Sequence, residues 1–224
     1  MEYDAYRNAR DAAWQLLMDS GAQRLPVKLG PIVKLLGVKV IRYDHAANML
    51  KNRYAALMAK TDGFTRLQGN TYIIYYDDKK TKERQRFTVA HEIGHIILGH
   101  LSPGQVTQIN REPSPQDDPL ETAANVVAAR ILAPACVLHA ARIMSAPAIA
   151  AACGISLQAA QFRAERLRLL EARDQHFQQI NGHGCFFQSP LERAVYAAFN
   201  PYIKETINPD HQTAVQLQPP LPRE

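Results

Sequence analysis

Cysteine is scarce in this chain. Its three residues, Cys136, Cys153 and Cys185, are odd in number, widely spaced and without a CxxC pair, which argues against a disulfide framework and against a cysteine-built zinc site. Free thiols are expected. Long apolar runs are missing too: the longest, around "IMSAPAIAAACGI", is too short for a membrane span and contains Pro147. The opening residues, "MEYDAYRNARDAAWQLL", have neither the basic start nor the apolar centre of a secretory leader. A cytoplasmic protein with no membrane partner is the expectation. The net charge of +5 permits a nucleic-acid or acidic-protein partner, but a balance of this size is common on ordinary surfaces, so nucleic acid is not favoured. What is present, 224 residues with 46% hydrophobic and 21% charged, suits one substantial core with room for a smaller second one.

Periodicity predicts a mainly helical α+β chain. Tyr6, Ala9, Ala13, Leu16 and Leu17 recur at helical spacing between Tyr3 and Met18, with "Ser20-Gly21" as the stop. "PVKLGPIVKLLGVKVIRYD" reads as a short helix ended by Gly37 and a strand over Val38 to Tyr43. A second strand is expected at "TYIIYY", Thr71 to Tyr76, after the Gly69–Asn70 turn. "NRYAALMAKTDGF" between them has no decisive period. Helix returns from about Thr81 to Leu98 before Gly99. A proline-rich loop spans Ser102 to Pro119, and a helix runs from Leu120 to Ala133.

The chemistry concentrates in "RFTVAHEIGHIILGH", Arg86 to His100. Residues four apart on a helix are separated by about 400° of rotation and about 6 Å of rise, so His91 and His95 project from one face. Two imidazoles so placed can reach one zinc ion, and Glu92 lies beside that ion, where a carboxylate takes a proton from water. A catalytic zinc needs a third protein ligand. Glu121, in "ETAAN" on the next helix, is the candidate, and Asn125, four residues on, faces the same way and can fix the tautomer of a ligand histidine. As structural residues the same two would be a first-turn carboxylate favoured by the helix dipole and a surface amide. His100 is the rival third ligand. It stands five residues after His95 instead of six, and five residues of continuing helix rotate it about 140° away, so it reads as a helix-end histidine favoured by the C-terminal dipole, with support of a ligand imidazole as the lesser alternative.

"RFTVAHEIGHIILGH" followed by "ETAANVVAARILAP" resembles the ImmA/IrrE family of zinc metallopeptidases, the pattern being matched by His91, Glu92, His95, Glu121, Ala124, Asn125 and Pro134. The likeness covers roughly Pro26 to Leu170. It implies a zincin-like, gluzincin-type domain with His91, His95 and Glu121 as ligands of one zinc ion and Glu92 as catalytic base. It also implies a protein substrate, a helix-turn-helix repressor of mobile-element or stress genes. A peptide is expected to add as a strand along Thr71, Tyr72, Ile73, Ile74, Tyr75 and Tyr76. Tyr72, Tyr75, Tyr76, His100 and His139 come into question for the oxyanion.

These readings divide the chain into a peptidase domain (1–134), a helical section resembling a helix-turn-helix (135–175), a helical extension (176–207) and a disordered tail (208–224). The second section reads as helices over Ala135 to Met144, Pro147 to Cys153 and Ser156 to Arg173, with Leu157, Ala160, Ala164 and Leu167 on the buried face. Gln158, Arg163 and Arg166 would contact DNA if it binds DNA, and a packing scaffold is the preferred reading. "SPLE", Ser189 to Glu192, is a capping box starting a helix to about Phe199. His183 and Cys185 in "HGC" lack the partners a metal site needs. A DNA-binding or sensor protein with a structural zinc is the competing function.

Overall fold

The computed structural model describes residues 3–49, 54–101, 118–181, 184, 186, 187 and 189–208. The chain runs through α1 (Tyr3–Asp19), α2 (Leu29–Leu35), β1 (Lys39–Arg42), α3 (Tyr43–Met49), α4 (Ala55–Lys60), β2 (Gly63–Gln68) and β3 (Thr71–Tyr76). It continues through α5 (Lys82–Ile97), α6 (Pro119–Leu132), α7 (Ala135–Ala140), α8 (Ala146–Cys153), α9 (Leu157–Asn181), α10 (Pro190–Ala198) and α11 (Asn200–Ile207). The expected class, mainly helical α+β with a small sheet, is what forms.

The sheet has the order β1-β3-β2, with β1 parallel and β2 antiparallel to β3. Tyr75 pairs with Ile41 on one side and Phe64 on the other. This corrects the expected peptide site: Thr71, Tyr72, Ile73, Ile74, Tyr75 and Tyr76 form the middle strand, both of whose edges are already hydrogen-bonded. An added strand has no edge to take there. The edges are β1 and β2; the sequence did not disclose β2, because the apolar residues of "GFTRLQ", Phe64 and Leu67, stand three apart and so point to opposite faces of a strand.

Thr81 caps α5, its side chain accepting from the Arg84 N–H, and Asp118 caps α6 by accepting from the Leu120 N–H, with Pro119 in the first turn. Every residue from Thr88 to His95 is buried, because α5 is enclosed by the sheet on one side and α6 on the other. The helices approach closely. A Cβ on Gly94 would come within 2.9 Å of the Ala124 carbonyl oxygen, so glycine and alanine set the spacing that the site needs. The stretch Pro119–Ala140 is long and apolar enough to cross a membrane by composition, but 72% of its window is buried inside the protein, where it forms α6 and α7. The main apolar cluster reaches from Ala9 to Ile203.

After α6 several boundaries shift. The helix expected over Ala135 to Met144 ends at Ala140, and the one expected to stop at Arg173 runs to Asn181. Gly154 ends α8 in the left-handed conformation at φ +61°, and Ser156 accepts from the Ala159 N–H to start α9. Leu157, expected in the buried face, is exposed, and Ala160, Ala164, Leu167 and Leu170 form that face. Arg163 turns inward and donates to the Ala129 carbonyl, so it is not offered to a duplex. Arg86 of α5 ties this section to the rest, donating to the carbonyls of Gly154 (3.1 Å), Val27 (3.1 Å) and Cys153 (3.2 Å). Ser189 accepts from the Glu192 N–H and Pro190 opens α10, as the capping box predicts. The loop expected from Ser102, the "HGC" pair His183 and Cys185, and the tail from 209 on lie outside the described residues.

Candidate metal centre

Two helices supply one cluster. His91 and His95 come from successive turns of α5, and Glu121 from the first turn of α6; one donor atom of each lies within 4.8 Å of the others. His91 Nε2 is 2.9 Å from His95 Nε2 and 3.1 Å from Glu121 Oε2, while His95 Nε2 is 3.2 Å from Glu121 Oε1. Donors held about 2.05 Å from one tetrahedral ion lie about 3.3 Å apart, so this set needs to open by only a few tenths of an ångström. His91 and His95 are 1% and 3% exposed and Glu121 32% by side chain, which leaves one open side.

The tautomers fit as well. Asn125 Oδ1 lies 2.8 Å from His91 Nδ1. An amide oxygen only accepts, so His91 carries its proton on Nδ1 and turns the Nε2 lone pair toward the cluster. At His95, Nδ1 lies 3.0 Å from Nδ1 of His100. If His95 donates there, its Nε2 lone pair also faces inward. Burial, then the neighbouring His95, holds His100 below the usual imidazole pKa, which suits an acceptor. Two imidazoles and a carboxylate, converging by lone pair, are a donor set for a divalent zinc-like cation.

Glu92 is fully buried and accepts a 2.6 Å hydrogen bond from the Thr65 hydroxyl of β2. Thr65 carries no motif, and only the sheet register brings it to α5. His100 reaches His95 because Gly99, at φ +69°, reverses the chain: its N–H donates to Ile96 O and that of His100 to His95 O. His100 is thus outside the three-donor group, as its spacing predicts, but it supports a ligand imidazole instead of serving only as a helix-end histidine. Tyr75 is stacked on Phe64 in the smaller core, and His139 is stacked on Phe186. Of the five side chains considered for the oxyanion, His100 is the one that touches the cluster among the described residues.

The family model of the IrrE N-terminal-like domain, a peptidase domain, matches residues 34–165, more than half of the 224-residue chain. No curated protein matches the chain. That span holds the HExxH imidazoles and the ExxAN carboxylate that the fold brings to one point, and the chain belongs to the ImmA/IrrE family of metallopeptidases.

Proposed function

We propose that this chain is a zinc-dependent endopeptidase that hydrolyses a peptide bond in a helix-turn-helix repressor, thereby derepressing mobile-element or stress-response genes. The observation that carries the reading is Glu92, a fully buried carboxylate held by Thr65 next to a three-donor cluster with one open side. A closed structural site has no use for such a group.

In this reading His91, His95 and Glu121 hold the ion, and Asn125 and His100 keep both imidazoles in the required tautomer. Zinc bound there supplies a Lewis acid that polarises the scissile carbonyl and acidifies water. Glu92 takes the proton of the attacking water on its carboxylate and passes it to the leaving amine. Thr65 donates to Glu92 Oε2 and so fixes the direction in which that carboxylate faces. The substrate lies as an added strand on β2, the sheet edge that carries Thr65, held by main-chain hydrogen bonds. That mode requires an extended segment, such as the link between two domains of a repressor. The repressor itself is the substrate that the family resemblance implies, and it is cytoplasmic.

Incubation with helix-turn-helix regulators encoded beside the gene, with and without a chelator, tests the substrate. Glu92→Gln tests the mechanism: stoichiometric zinc with cleavage abolished is expected, and undiminished cleavage removes Glu92 from it. The competing DNA-binding reading predicts a salt-dependent shift of duplex DNA.

A further inference from the structure

Alongside α6 lies a cavity of about 390 Å³, walled by α1, α5, α6 and α9. Three arginines line it, Arg130, Arg163 and Arg166, together with Tyr6, Phe87 and Phe162. Arg130 donates to the Tyr6 hydroxyl at 2.6 Å and to the Val126 carbonyl at 3.2 Å, and Arg166 donates to the same hydroxyl at 3.3 Å. Arg163 donates to the Ala129 carbonyl. These bonds use a minority of the guanidinium donors. Among the described residues no carboxylate lies within salt-bridge distance of any of the three. Glu192 acts on Arg130 only from farther off.

Three like charges gathered at partly buried positions repel one another, and fold stability alone does not favour such a cluster. Burial, then the charge of Arg130, brings the Arg163 guanidinium down to about 10. An oxyanion in the cavity offsets that repulsion, and the guanidinium fork matches a carboxylate or phosphate by paired hydrogen bonds. The remaining wall is apolar, including Leu132, Ile155 and Phe162. Phe162 is 67% exposed at the helix surface, an aromatic ring left for another group to cover. A volume of this size accepts a small organic molecule.

We propose that this cavity is a binding site for a small organic anion, a carboxylate or phosphate ester on an apolar or aromatic body, with its acid group on Arg130, Arg163 and Arg166 and its body against Phe87 and Phe162. The site is independent of the peptidase reading. It is nonetheless close to the metal cluster, since Asn125, which holds His91, also lines it.

Isothermal titration of the full chain with phenyl phosphate, benzoate and benzyl alcohol tests the proposal. At least one of the two anions binds saturably to one site, and the neutral alcohol binds about tenfold more weakly or less. The tighter anion assigns the acid group. Arg166→Gln, at an exposed position that leaves the fold intact by circular dichroism, weakens the anion about tenfold. Glu121→Gln leaves it unchanged, which separates this site from anion binding at a metal. No saturable binding of either anion, equal binding of the alcohol, or a loss that follows Glu121→Gln instead of Arg166→Gln overturns the proposal.

Discussion

His100 Nδ1 stands 3.0 Å from His95 Nδ1, brought there by the reversal at Gly99. The contact makes His100 the partner of one ligand imidazole as Asn125 is of the other. His100→Ala is expected to lower metal affinity about 10- to 100-fold with the fold unchanged. His100→Asn, which keeps an acceptor, restores part of it. Competition with a chromophoric chelator reads both, and equal affinities for all three proteins would dismiss the role.

Thr65 orients Glu92 from a different element. Thr65→Val therefore keeps full metal content but slows cleavage about tenfold, the worth of one hydrogen bond to a charged group. Thr65→Ser retains the rate. A fall in KM-independent turnover with stoichiometric metal is the signature, and metal loss instead would make Thr65 a folding residue only.

Gly94 packs against the backbone of Ala124, which has no flexible end to move aside. Gly94→Ala forces α5 and α6 apart and is expected to cost about 1–3 kcal/mol. Since the ligands come from both helices, metal affinity falls with it. Denaturant unfolding and metal titration check the two effects separately, and a variant as stable as the parent would refute the close approach.

Asp62 lies between Lys80 and Arg84, at 3.2 and 2.6 Å. Burial pushes its carboxyl up, but the hydrogen bonds and charges of Arg84 and Lys80 more than offset this and hold it below the ordinary range. A depressed carboxylate contributes stability above its unfolded pKa, near 4, and that contribution is lost as pH falls through the lower folded value. Asp62→Asn is thus destabilised at pH 7 by about 1 kcal/mol, allowing for solvent at the two cations, and the gap closes in acid. A gap that widens on acidification contradicts the ion pair.

The HExxH helix, the ExxAN helix, the caps at Ser189 and Gly154, and the strands that follow Gly37 and Gly69 were all legible along the chain. Each rests on interactions within a few residues, where periodicity and turn chemistry act. Glu121 and Asn125 were legible for a related reason: their spacing states which way they face on one helix.

Sequence by itself determined the two helices that carry donors and the direction each donor takes, because rotation per residue is a local property. Tertiary structure alone decided that β3 is the middle strand, that Thr65 meets Glu92, that His100 folds back on His95, and that Arg163 turns toward Ala129. Those contacts depend on how elements far apart in the chain pack, and no local period encodes that.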